Sequence, residues 1–277
     1  MPAEKFKDLS NLCVHTITTK PWSIEEAADK FSAAGVSGIT VWRDAMEGRD
    51  PIEVGKMLRD KGLDIVSLCR GGFFPHISES DRLHAIDENK VIIDEAAAVG
   101  APLVVLVCGA DPGQPLEESR KQIVDGIAEI APYAESSGVK LAIEPLHPMY
   151  ADSRSAINTM QQANDAAEQI DSDFVGVAVD VYHLWWDPDL QTEIARCGSM
   201  DKIFAYHICD WKTPTVDLLL DRGLMGEGCI DIRRIRGWVE DAGFTGYNEV
   251  EIFSNIYWDQ DQDAFLDKIV NAYKKFS

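Results

Sequence analysis

The chain lacks several features that would fix a partner or a compartment. It has no run of five basic residues, and its formal net charge is −21. Nucleic-acid binding draws most of its affinity from Lys and Arg neutralising phosphates, so no nucleic-acid partner is expected. The six cysteines are scattered without a C-x-x-C pair, which in 277 residues reads as a reduced, cytoplasmic pattern. No eighteen consecutive apolar residues occur, and the opening MPAEKFKDLS has no apolar segment of the signal-peptide kind. No membrane partner is expected. No linker, low-complexity tract or internal repeat divides the chain, so residues 1–277 read as a single domain.

What is present is a regular alternation. Hydrophobic residues make up 45% and charged residues 26%, enough for a sizeable core. Short apolar runs read as strands at Leu12–His15, Ile39–Trp42, Leu63–Cys69, Pro102–Cys108, Val139–Glu144, Val175–Asp180, Ile203–His207 and Tyr247–Val250. Helices are predicted between and after them. Ser23 and Glu26 form a capping box for Ile24–Ala34, and Pro51 opens a helix to about Lys61. Further helices are predicted over Arg82–Val99, Glu117–Ser137, Ser155–Ile170, Asp189–Cys197, Ile232–Ala242 and Gln262–Phe276, with glycines closing several of them. Eight such units predict an α/β fold of the (β/α)₈ TIM-barrel type. An open doubly wound sheet is the alternative. Its dinucleotide-binding version is weakened by the missing G-x-G-x-x-G turn after the first strand.

The central stretch is VGVAVDVYHLWW, residues 175–186. Its apolar run ends on Asp180, and a buried acid needs a partner. The same pattern recurs: Glu144 ends VKLAIE, His207 ends IFAYH and Glu251 follows YNEV. These positions are separated by 36, 27 and 44 residues, each about one strand plus one helix. In a barrel, strand C-termini form the active-site face, so all four side chains are expected there. Three carboxylates and an imidazole suit one divalent ion, Mn²⁺ first, with Mg²⁺, Co²⁺ or Zn²⁺ as alternatives. Glu249 competes with Glu251, because alternate strand residues share a face. Glu251 is preferred because it sits between Val250 and the apolar Ile252 and Phe253.

Other residues are candidates for binding substrate. His183 follows Asp180 by three positions, one helical turn, against the alternative of an exposed loop histidine. His147 follows Glu144 by three in EPLHP. Arg222 lies in the glycine-rich DRGLMGEG, where its fork of donors could hold a polyhydroxylated or anionic ligand, or could pair with Asp221 at the surface. Trp22, Trp42, Tyr150, Tyr182, Trp185, Trp186 and Trp211 fall at strand ends and loops, as aromatic walls of a sugar site would, although loop packing accounts for part of that grouping.

Taken together, LAIEP, VGVAVDVYH, AYHICD, RGLMGEGCID and NEVEIF resemble the xylose-isomerase-like (β/α)₈ superfamily. That group includes ketose 3-epimerases, inosose dehydratase and hydroxypyruvate isomerase. The resemblance runs from HTITTKPW through the last helix. It implies that Glu144, Asp180, His207 and Glu251 hold one divalent metal and that His183 and Arg222 contact substrate oxygens. It also implies homo-oligomers, with no residue here fixing a subunit number. Ketose 3-epimerases of the group carry a further glutamate six residues after the first metal glutamate. This chain has Tyr150 there, which points to a relative acting on another polyol or keto-sugar.

The expected chemistry is enolisation of a ketose or keto-polyol at the metal, with Glu144 and Glu251 as the candidate bases. Proton return decides between isomerisation and epimerisation. Loss of a β-hydroxyl with His183 as acid would make the enzyme an inosose-type dehydratase. A phosphodiesterase resembling endonuclease IV would need more histidines than the six present and basic loops. A non-catalytic sugar-binding barrel is disfavoured by the full ligand set. With no phosphate-cradling loop, an unphosphorylated sugar or polyol is the expected substrate.

Overall fold

The structure, a computed structural model, describes residues 8–277. Strands β1 (Leu12–His15), β2 (Gly38–Trp42), β3 (Asp64–Gly72), β4 (Leu103–Val107), β5 (Lys140–Glu144), β6 (Val175–Asp180) and β7 (Ile203–Ile208) pair in parallel, each with its neighbour in sequence. Two short strands, β8 (Asp210–Trp211) and β9 (Arg222–Gly223), form an antiparallel pair inside the long loop after β7. Strand β10 (Asn248–Val250) then joins β7 to β1 and closes the barrel. The predicted (β/α)₈ barrel is therefore present, with β10 as its eighth strand.

Helices α1 (Ile24–Ala34), α2 (Pro51–Asp60), α3 (Glu79–Val99), α4 (Leu116–Ser137) and α5 (Met160–Ile170) follow the first five strands. The single turn α6 (Val181–Leu184) and α7 (Leu190–Ser199) follow β6, and α8 (Ile232–Asp241) precedes β10. The single turn α9 (Asn255–Trp258) and α10 (Gln262–Phe276) end the chain. Local signals act as expected: the Ser23–Glu26 capping box is formed in both directions, and Gly35 and Gly100 end their helices in the left-handed region. The third strand, expected to end at Cys69, runs on to Gly72, and two helices start elsewhere than expected. The helix expected from Arg82 begins at Glu79. The one expected from Ser155 begins only at Met160, because the Ser155 and Asn158 side chains bond loop backbone and Thr159 supplies the cap.

Most of the core lies between strands and helices. All five residues of β4, LVVLV, are buried, as a strand covered on both faces requires. Each such side chain contributes about 2 kcal/mol by leaving water. Inside the barrel, Cys69, Leu103, Val105, Ala142, Ala178 and Ala205 pack together. Three of these set the aim of the site. Ala142, Ala178 and Ala205 lie two residues before Glu144, Asp180 and His207, and the strand repeat of two turns each later residue inward as well. Thr40, Ser67 and Glu249 make the β1–β3 side of the interior polar: Thr40 Oγ1 donates to Glu249 Oε2 at 2.6 Å and lies 3.1 Å from Ser67 Oγ.

Candidate active site

Glu144, Asp180, His207 and Glu251 converge at the C-terminal mouth of the barrel. One potential ligand atom from each lies within 4.8 Å of the others, and all four residues are buried. Glu144, Asp180 and His207 lie on β5, β6 and β7 and Glu251 one residue past β10, the next barrel strand, so the two glutamates flank Asp180 and His207. Asp180 and His207 are directly paired in register. Asp180 also caps α6: its Oδ1 accepts from the Tyr182 N–H at 2.7 Å, which leaves Oδ2 facing the centre.

The donor chemistry fits a divalent cation. Oε1 of Glu144 and both ring nitrogens of His207 are buried without a hydrogen-bond partner among the described residues. Glu144 Oε1 and His207 Nδ1 approach to 2.9 Å, yet their angle is not that of a hydrogen bond. Such atoms are costly to bury unless something between them takes their lone pairs.

The charges around this centre are interlocked. Burial opposes charge on His207, but Glu249 and Glu144 outweigh it and push the ring up to about 10. Burial raises Asp180 to about 7 despite the nearby Arg222. Glu251 is also penalised by burial, but Arg222 and His15 hold it well below the carboxylate range.

Arg222 is not a surface residue paired with Asp221. It is buried on β9, with Nη1 donating to Glu251 Oε2 at 2.6 Å and Asp180 Oδ2 at 3.1 Å. Asp221 pairs with Lys212 instead. The Arg222 guanidinium lies over the Tyr182 and Phe253 rings, 4.4 and 5.1 Å from their centroids.

His183 is buried on α6 and not exposed in a loop. Its Nε2 lies 3.1 Å from Arg222 Nη2, and the His147 N–H approaches its Nδ1 at 3.3 Å. A neutral imidazole cannot accept at both nitrogens, and Arg can only donate. Whichever nitrogen carries the proton therefore meets a second donor, the His147 N–H at Nδ1 or the Arg222 fork at Nε2. Burial first and Arg222 second keep the ring neutral, well below its ordinary value.

The remaining candidates form the walls. His147 is half-buried, with its ring 5.6 Å from Trp186 and 5.0 Å from Trp211. Tyr182 and Trp185 also contact Trp211. Tyr150 is buried, its ring 5.8 Å from His183 and its hydroxyl donating to the Leu218 carbonyl. Trp42 lines a cavity of about 660 Å³ beside Cys69. Trp22 stands apart, packed on Phe31 of α1.

Two further residues belong to the centre, His15, which the sequence pattern did not single out, and Glu249, which it offered only as a competitor of Glu251. His15 is fully buried, 3.1 Å from Glu249 Oε2 through Nε2 and 3.2 Å from Glu251 Oε1 through Nδ1. Burial opposes its charge, but the two carboxylates push it up to about 9. The Trp42 Nε1–H also points at Nδ1 over 3.2 Å, which needs that nitrogen unprotonated and so competes with the Glu251 ion pair. The available signal was the one used elsewhere, a polar residue ending an apolar strand, LCVH. Glu249, set aside as a ligand, is the buried acid that joins His15 and Thr40 one layer below the centre.

A parallel eight-stranded barrel with convergent acids at its C-terminal face defines a class shared by many enzymes. Residues 28–269 match the xylose isomerase-like TIM barrel family, and the chain belongs to that family. An inosose isomerase of Bacillus subtilis (strain 168) is 28% identical over 190 residues, 67% of this chain and 66% of that enzyme, just under two thirds of its length. The crystal structure of a protein from Sinorhizobium meliloti 1021 has a TM-score of 0.94 at 44% identity, covering 97% of this chain and 99% of that one. A structure of IOLI protein with a bound zinc atom has a TM-score of 0.83 at 22% identity, covering 96% of this chain and 99% of that one, a likeness of fold.

Proposed function

We propose that the protein is a divalent-metal-dependent isomerase of a ketose or keto-polyol that works through an enediolate. The observation that carries this reading is the convergence of Glu144, Asp180, His207 and Glu251 within 4.8 Å, with three of their buried atoms unpartnered. The similarity to an inosose isomerase supports the substrate class. Mn²⁺ is the preferred ion by donor type, and the zinc in IOLI protein makes Zn²⁺ the first alternative. When bound, the ion supplies Lewis-acid stabilisation of the negative charge that develops on a substrate carbonyl oxygen.

Glu144 is the base. Its Oε1 makes no hydrogen bond, whereas Glu251 is held by both Arg222 and His15. That asymmetry favours one base that removes a proton from one carbon and returns it to the next, giving isomerisation. Two-base epimerisation would require Glu251 to act from the opposite flank. Arg222, fixed between two aromatic rings, and the neutral His183 orient substrate oxygens. The wall of His147, Trp186 and Trp211 excludes water and offers flat faces to a sugar ring. The dehydratase alternative asks His183 to act as an acid, yet burial and Arg222 hold its ring neutral, well below its ordinary value.

Solvent exchange tests the reading. Inososes and ketoses incubated with the Mn²⁺-loaded protein in D₂O should acquire deuterium at the carbon next to the carbonyl, and chelation should stop this. No exchange across that set in metal-replete protein would contradict it.

A further inference from the structure

The chain has 47 acidic side chains against 26 basic ones, so an arginine withdrawn from water ordinarily has a carboxylate within reach. Arg43 pairs with Glu95, and Arg222 pairs with Asp180 and Glu251. Arg70 and Arg154 depart from this pattern. Both are half-buried, and among the described residues neither guanidinium forms an ion pair or a hydrogen bond. Each lies over an aromatic ring instead: Arg70 is 4.4 Å from the Phe73 centroid and Arg154 is 5.7 Å from that of Tyr150.

These rings belong to one apolar cluster, Val107, Leu146 and Tyr150 with Phe73 and Met149 against them. Val107 is paired in register with Glu144, so the two cations flank a wall beside the candidate base. Their backbones are fixed. Asn89 bonds both the N–H and the carbonyl of Gly72 at the end of β3, where a Cβ would collide with the Val107 carbonyl. The Arg154 N–H donates to the Tyr150 carbonyl, and its own carbonyl accepts from Gly109. Burial, and next the Arg154 charge, push Arg70 below its ordinary value against the opposing field of the Glu144 carboxylate, so the two cations feel one another although neither pairs with that acid. Glu88 lines the same cavity, but its field falls on Arg43. Two neighbouring guanidinium groups, neither of them engaged in an ion pair, offer a receptor for an anion.

We propose that Arg70 and Arg154 bind an anionic group of the substrate, a carboxylate or a phosphate, with its carbon chain along Phe73 and Tyr150 towards Glu144. The inference rests on the enolising function proposed above and narrows its substrate to an acidic keto-sugar or keto-polyol.

Calorimetry on the Mn²⁺-loaded protein tests it with three probes: D-fructose, 5-keto-D-gluconate and D-fructose 6-phosphate. At least one charged probe should bind about tenfold or more tightly than D-fructose, and inorganic phosphate should weaken its binding. Arg70→Gln and Arg154→Gln should each remove about tenfold of that affinity and leave D-fructose unchanged, and the Lys variants should recover part of it. Preference for the keto-acid identifies a carboxylate site, and preference for the ester a phosphate site. No preference for charge in the wild type, or equal weakening of all probes in the variants, overturns the proposal. Deuterium exchange on the same probes separates the two ideas. Exchange without charge preference sinks the anion site alone, and charge preference without exchange sinks the enolising function alone.

Discussion

Glu144 Oε1 and His207 Nδ1 stand 2.9 Å apart with no hydrogen bond between them. Close approach of two buried ligand atoms without a bond between them is what donors to a shared cation show. Glu144→Gln keeps an oxygen donor at that point and removes the base. It should retain bound metal while solvent exchange falls by roughly 10² to 10⁴. NMR of the exchanging substrate, with metal analysis of the same sample, checks both. Exchange at the wild-type rate would remove Glu144 from the chemistry.

Glu249 serves stability. It bonds His15 and Thr40 and lies 3.8 Å from His207, in a layer that water does not reach. Burial raises its proton affinity, but His207 and His15 together bring it below the ordinary value. Glu249→Leu leaves His15 charged without its lower partner and should cost about 3 kcal/mol or more. Urea unfolding with Glu249→Leu/His15→Phe alongside should show part of the loss restored. A single variant as stable as wild type would contradict this role.

Protonation and metal binding oppose one another. In the metal-free protein His207 and His15 are pushed up to about 10 and about 9, above the ordinary 6.5. The stability they contribute is complete below pH 6.5 and is lost as pH rises through 9 to 10. Chelator-treated protein should therefore show a thermal midpoint that falls across this interval. Metal affinity should rise over the same range, because His207 must lose its proton to become a ligand. Calorimetry in buffers of different ionisation enthalpy should detect about one proton released per ion bound. No release at pH 7.5 would mean that His207 is not a ligand.

Arg222 combines a charge with a plane. Its fork reaches Asp180, Glu251 and His183 while its faces meet Tyr182 and Phe253. Arg222→Lys keeps the charge and loses the second donor arm and the stacking. kcat/KM should fall about tenfold or more, mainly through KM. Unchanged kinetics would contradict a role in orienting substrate.

Much of the barrel was readable because the strands are buried on both faces and the helices carry their own caps. Asp180 and His207 were legible as potential ligands because each is a polar residue at the end of an apolar run. The same rule applied to Leu12–His15 would have found His15, but a single residue ending a four-residue strand has little contrast. Glu249 and Glu251 share a face, and only the three-dimensional layers separate the acid beneath the centre from the one in it. Arg222 was ambiguous for another reason. Its loop has no periodic pattern, and the aromatic rings that bury it come from α6 and from beyond β10. The Arg70–Arg154 pair depends on contacts 84 residues apart in sequence, which no local pattern reports.

Four strand ends are expected to hold one divalent ion. Elemental analysis of purified protein after equilibration with Mn²⁺ and desalting, beside His207→Ala and Glu251→Ala, tests it most directly. About one ion per chain is expected in the wild type, with loss of that ion in both variants. Wild-type protein that retains no ion under metal-replete conditions, or variants that retain it fully, would contradict a shared site on Glu144, Asp180, His207 and Glu251.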